Sequence, residues 1–184
     1  FSGIGKTTRE LALAVDEGIL CINVESEPEL AMLSSIAASK GRSAHISVRV
    51  NPDIDAKTHH KIATGKAENK FGIPISRARE VYAHAAKLPG LKVAGVDMHI
   101  GSQITALKPF DVGFALLTDF VRTLRADGHT ISHVDFGGGL GIPYENSQPD
   151  PPEPAAYAQM VKRVTQGLDA TLMFEPGRMI VGNA

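Results

Sequence analysis

Two hydrophobic periods alternate along the whole chain, and no other property of the sequence restricts its fold as much. Apolar residues recur three and four apart in "TTRELALAVDEG" (7–18), "SEPELAMLSSIAASKG" (26–41), "SRAREVYAHAAKL" (76–88), "KPFDVGFALLTDFVRTLRADG" (108–128) and "AAYAQMVKRVTQGL" (155–168). Between them stand short apolar runs: "ILCINV" (19–24), "AHISVRV" (44–50), "LKVAGVDMHI" (91–100), "ISHVDF" (131–136) and "TLMFEPGR" (171–178), with the end of one more at "FSG" (1–3). The first set has the spacing of amphipathic helices and the second the length of buried strands. Strands alternating with helices make βα units, and βα units make a parallel sheet. Local signals agree. Gly18 and Gly41 stop the first two helices, Ser26 can cap the second with Glu29 three residues on as in a capping box, and Pro28 sits in its first turn.

In parallel α/β folds ligands lie at the carboxyl ends of the strands. Every strand here exits into polar or glycine residues: Gly3 and Gly5-Lys6, then Asn23 and Glu25-Ser26, then Arg49 and Asn51, then Asp97, His99 and Gly101-Ser102-Gln103, then Asp135 and Gly137-Gly138-Gly139-Leu140-Gly141, then Glu175 and Gly177-Arg178. Six such exits form a rim, which favours a barrel over a doubly wound sheet with its single crevice. A (β/α)8 barrel needs eight strands and about 250 residues. The 184 residues therefore read as one partial barrel domain with about six of the eight strands. Both ends read as cuts, so the chain is expected to be a segment of a longer protein.

Composition narrows the partners. Nineteen Lys and Arg against twenty Asp and Glu leave a formal charge of −1, which argues against a general nucleic-acid footprint. No apolar run approaches the roughly 20 residues that span a bilayer. The single cysteine, Cys21, has no partner for an internal disulfide and reads as a buried small hydrophobe in a reducing cytoplasm. The polar stretch 51–74 is long for a connection and reads as functional, and "PDPPEP" (149–154) reads as a loop.

"GKT" at 5–7 matches the end of a P-loop, G-x-x-x-x-G-K-[ST], but the first glycine of that motif would precede Phe1. The competing reading is a βα turn in which Thr7 or Thr8 caps the helix. "GGGLG" does not satisfy the dinucleotide fingerprint, since position six falls on Ile142 or Tyr144. A glycine cluster after a strand still offers backbone N–H groups to an anion. "HIGSQ" adds an imidazole, His99, and a hydroxyl, Ser102, at one exit, and "EPGR" adds a carboxylate and a guanidinium at another. Phosphate donors, a stacking ring and an acid for a protonated ring nitrogen are what pyridoxal phosphate requires.

The segments "FSGIGKT", "NVESEPEL", "VRVNPDIDA", "ATGKAENKFGI", "GVDMHIGSQI", "DFGGGLGIPY" and "EPGR" together resemble the barrel of the diaminopimelate decarboxylase family, pyridoxal-phosphate enzymes with an alanine-racemase-like fold. The resemblance runs in order from Phe1 to Arg178. It implies removal of CO2 from meso-2,6-diaminopimelate to give L-lysine, by a homodimer. It also implies that His99 stacks on the cofactor ring and that Ser102, Gly138 and Gly139 bind the phosphate. Glu175 would pair with the pyridine nitrogen, the loop Glu175, Pro176, Gly177 and Arg178 would close the phosphate site, and Arg178 would also meet a substrate carboxylate. Arg49 would lie near the cofactor. His99 and Glu175 are thus the expected catalytic residues.

The family's Schiff-base lysine motif, like Y-x-x-K-A-N, is not in the sequence, and Lys6 does not replace it because it follows a later strand. The family's C-terminal β-domain, with its Cys-Glu acid pair, is not in it either. The expectation is that this segment alone does not decarboxylate. Arginine and ornithine decarboxylases share single motifs and are the nearest alternatives. A non-catalytic nucleotide-binding module built on Gly5-Lys6-Thr7 is the alternative of another class, and a fragment with no ligand is the third.

Overall fold

The computed structural model describes residues 1–52, 71–144 and 151–182. Most of the polar stretch 51–74 and part of "PDPPEP" lie outside the described residues. In chain order the elements are α1 (Thr8–Glu17), β1 (Ile22–Val24), α2 (Glu27–Ser39), β2 (Ala44–Asn51), β3 (Ile73–Pro74), α3 (Ile75–Ala85), β4 (Leu91–Asp97), α4 (Leu107–Ala126), β5 (His133–Asp135), α5 (Pro154–Val164), β6 (Thr171–Met173) and α6 (Gly177–Val181). The expected βα alternation is present. Two elements were not foreseen, the two-residue β3 and the one-turn α6, because neither is long enough to carry a period.

All strands pair in parallel, in the order β1-β2-β4-β5-β6, with β3 on the end of β2. The order never reverses. A doubly wound sheet reverses at its switch point, so this is the winding of a barrel. Phe1 extends it: its N–H group donates to Cys21 O at 2.7 Å and its carbonyl accepts from Asn23 N–H at 2.9 Å. That is a parallel bridge on the outer edge of β1, where the sequence expects a strand end.

Side-chain contacts give the curl. Asn23 on β1 donates its Nδ2 to Asp135 Oδ2 on β5 at 3.1 Å. Those strands stand three positions apart, which is roughly 14 Å in a flat sheet. A direct bond is possible only because the sheet wraps around a lumen. Ser47 on β2 likewise reaches His133 Nε2 on β5 at 3.2 Å, across the intervening β4. It can do so because Gly95 faces the lumen between them, where a Cβ would come within 2.6 Å of Ser47 Oγ. Cys21 joins this row, with its Sγ 3.2 Å from Ser47 Oγ. It is buried as expected, beside a polar group, and burial pushes its thiol pKa up.

The outer face is packed by helices. On α4, Phe110, Phe114, Leu117, Val121 and Leu124 are buried at helical spacing. Phe114 meets Phe136 at a centroid distance of 4.5 Å, and Phe136 stacks on Phe174 at 5.6 Å, which couples the exits of β5 and β6. Tyr82 of α3 does a different job. The β2–β4 register shifts between Ile46 and Ser47, opening a bulge. The fully buried Tyr82 hydroxyl stands in that gap, accepting from Val48 N–H at 3.1 Å with the Gly95 carbonyl 2.9 Å away. Tyr82→Phe leaves the Val48 N–H without a partner, and the expected cost in a denaturant titration is about 1–3 kcal/mol.

Candidate functional site

The site lies at the carboxyl ends of β4, β5 and β6, where the strand ladder continues past the strands themselves. Met98 N–H donates to Asp135 O, Phe136 N–H to Met173 O, and Glu175 N–H to Gly137 O at 2.9 Å. Ile104 and Leu140 form a further bridge between the two long exits. The loops "HIGSQ" and "GGGLG" are thus one two-stranded rim.

Three glycines make this rim close. A Cβ on Gly137 would strike Met98 O, one on Gly138 would strike Glu175 O, and one on Gly139 would strike Gly101 O, all far inside van der Waals distance. Gly137 and Gly139 also hold positive φ, 64° and 100°. The sequence signal of the triple glycine is therefore steric: backbone passes backbone on both sides.

The expected residues meet around Gly138. His99 Nδ1 accepts from Gly138 N–H at 3.2 Å, which fixes the ring. Burial first, and the Arg49 charge second, hold the His99 pKa below its usual value, so the imidazole is neutral and flat-faced. The Glu175 backbone carbonyl also packs against Gly138, far inside van der Waals distance of where a Cβ on that glycine would stand. Glu175 is exposed as a residue, yet partial desolvation of its carboxyl and then the charge of Asp135 push its pKa above the usual range. Ser102 Oγ accepts from Arg178 Nη2 at 3.1 Å. Arg178 also lies over the Tyr144 ring at 5.5 Å and bonds its hydroxyl. Gly177 opens α6 directly after Pro176, so the "EPGR" loop turns straight into a helix.

Asp135 is satisfied on both oxygens, by Asn23 and by Gly137 N–H at 2.9 Å. Arg49 Nη1 bonds Glu25 Oε2 at 2.8 Å on the opposite rim. Sequence reasoning had Asp97, Asp135 and Glu25 only as strand-exit residues. Their burial to between 1 and 6 % exposure was not legible, because the lumen face of a closed sheet mixes polar with apolar residues.

Lys6 is not at this site. Its Nζ is buried against Glu29 Oε1 at 2.7 Å and Gly3 O at 2.7 Å. Thr7 caps α1 in a reciprocal box with Glu10. The Gly5-Lys6-Thr7 stretch therefore has its lysine in an internal ion pair and its threonine in a cap, as in the βα-turn reading. No group of three or more potential metal ligands occurs among the described residues. The hollow lined by Ser132, Thr165 and Asp169 opens at the amino ends of β5 and β6, away from the rim.

A glycine cradle with no room for side chains, a neutral imidazole beside it, the Glu175 backbone against it and a hydroxyl–guanidinium pair at its edge fit a flat, phosphorylated ring. This defines a βα-barrel protein with a site for a ring and an anion at its carboxyl rim. The family model described as pyridoxal-dependent decarboxylase, pyridoxal binding domain, matches residues 1–182, and the chain belongs to that family. Among curated relatives, diaminopimelate decarboxylase of Zymomonas mobilis is 47% identical over 184 residues, and that of Pseudomonas aeruginosa 50% over 184. Each match covers 100% of this chain and 44% of the relative, so the chain spans less than half the length of these relatives. A crystal structure of diaminopimelate decarboxylase from Helicobacter pylori complexed with L-lysine superposes with a TM-score of 0.90 at 42% identity, over 97% of this chain and 45% of that one. Lysine decarboxylase from Selenomonas ruminantium, at 21% identity and a TM-score of 0.79, shares the fold.

Two outcomes follow from this geometry. Gly138→Ala must push Glu175 away, so thermal unfolding should show a loss of about 1–3 kcal/mol, the usual cost of overpacking. The His99 ring should titrate by NMR below about 6.5. Because its folded pKa is the lower one, its contribution to stability is full above the unfolded value. That contribution declines as pH falls through the folded one.

Proposed function

We propose that this chain is the barrel part of a pyridoxal-phosphate carboxy-lyase that converts meso-2,6-diaminopimelate to L-lysine. The observation that carries the reading is the convergence of the His99 ring and the Glu175 backbone on Gly138. Identities of 42–50% to proteins named diaminopimelate decarboxylase support this substrate over arginine or ornithine. The 44% coverage supports a longer protein that supplies the remaining strands, a Schiff-base lysine and a C-terminal β-domain. A cytoplasmic homodimer with no nucleic-acid partner completes the reading. No helix among the described residues is long and apolar enough to cross a membrane.

In this reading Ser102, Gly138, Gly139, Gly177 and Arg178 hold the phosphate, and the His99 ring lies against the pyridine. Bound pyridoxal phosphate supplies an electron sink for the pair left when the carboxylate departs as CO2. Glu175 holds a proton at the pyridine nitrogen. A carboxyl whose anion is disfavoured by partial desolvation and by the nearby Asp135 charge gains from sharing that proton. Pro176 sets the turn that brings Arg178 back over Ser102, and Arg178 can exchange its Tyr144 contact for a substrate carboxylate.

The full-length protein, loaded with pyridoxal phosphate, is expected to release CO2 from meso-2,6-diaminopimelate. Glu175→Gln should lower kcat about 100-fold, the size of a lost electrostatic stabiliser, while visible cofactor absorbance persists. Turnover unchanged in that variant overturns the role given to Glu175.

A further inference from the structure

Asp97 ends β4 on the lumen side with 1 % of its surface exposed, and neither carboxyl oxygen has a hydrogen-bond partner among the described residues. A buried carboxyl with both oxygens unmet is costly, so the position calls for a donor. The neighbours do not provide one. Arg49 stands opposite Asp97 in the β2–β4 register, but its Nη1 goes to Glu25 and its buried Nε bonds to no described residue, Asp97 included. Asp135 stands opposite on β5 and is itself an acid. The charged groups in electrostatic reach of Asp97 are Asp135, Arg49, Glu175 and Glu25, three further acids against one base.

The chemistry of the missing donor follows from that balance. A proton on Asp97 removes one charge but leaves its carbonyl oxygen without a donor among the described residues. A neutral donor brings no charge. A divalent ion needs several ligands, and no cluster of three is present among the described residues. A primary ammonium carries the needed charge, three donors and a thin alkyl stem that fits a lumen.

We propose that Asp97 is the counter-ion for a primary ammonium group that enters the lumen beneath the ring site. This rests on the function proposed above, which brings two primary amines to the site. One is a lysine side chain of the longer protein, and the other is the amino group of substrate or product.

Two measurements on the full-length protein separate these sources, each comparing wild type with Asp97→Asn. The first is the Kd of L-lysine for the protein loaded with pyridoxal phosphate, read from the cofactor absorbance. If a bound amino acid is the partner, the Kd rises about 10-fold or more in the variant, the worth of a charge-assisted hydrogen bond. The second is the rate of amine labelling by trinitrobenzenesulfonate at pH 8 after cofactor removal, mapped by mass spectrometry. If a lysine side chain is the partner, one barrel lysine labels about 10-fold faster in the variant, as a drop of one pKa unit predicts. A change in either supports the proposal, and no change in both overturns it. Should the Asn variant not fold, Asp97→Ser removes the same charge and is read in the same way. Wild-type protein that takes up no cofactor sinks the proposed function instead, and the labelling arm still decides on Asp97.

Discussion

The hydrogen bond from Asn23 to Asp135 ties the first strand of the path to the fourth and holds the sheet in its curl. The rim depends on that curvature. It brings the exits of β4, β5 and β6 onto one concave side and turns Arg49 and Glu25 of the opposite wall toward Asp97 and Glu175. The bond also occupies Asp135 Oδ2, while Oδ1 takes the Gly137 N–H. One carboxylate therefore bridges the curled sheet and anchors the start of the glycine turn.

The rim is assembled from two kinds of contact. On the β4–β6 side, backbone meets backbone, and glycine is the only residue that permits it. On the β1–β2 side, ion pairs do the work: Lys6 with Glu29, and Arg49 with Glu25, whose other oxygen accepts from Gly3 N–H at 3.2 Å. Glu29 shows how tertiary demand overrides a local motif. Ser26 accepts from Glu29 N–H as a cap should, but the Glu29 carboxylate turns to Lys6 and to Glu25 N–H. Only half of the expected capping box forms, because a buried lysine needs an anion more than a helix start needs its second bond.

Much of this was legible in the sequence, for identifiable reasons. Helix and strand periods are local, so the alternation and the stops at Gly18 and Gly41 could be read directly. The triple glycine, "HIGSQ" and "EPGR" stood out because each sits at a strand exit, and contacts join them around Gly138. Three features were not legible. The Tyr82 hydroxyl fills a bulge that no propensity announces, and Tyr82 alone reads as one more apolar face residue. Asp97 reads as a strand end, and only the closed lumen shows it to be buried. α6 is one turn long, shorter than any period that could reveal it.

Gly95 has a consequence of another kind. The lumen at that level contains Ser47, His133 and the space that Gly95 leaves between them, and the serine and histidine meet through that space. These three positions share one fixed volume. A larger residue at 95 has room only if 47 or 133 shrinks, and a smaller residue at 47 or 133 leaves a hole that 95 could fill. Natural substitution at any of the three should therefore come with a compensating change at another, a correlation in size among residues far apart in the chain.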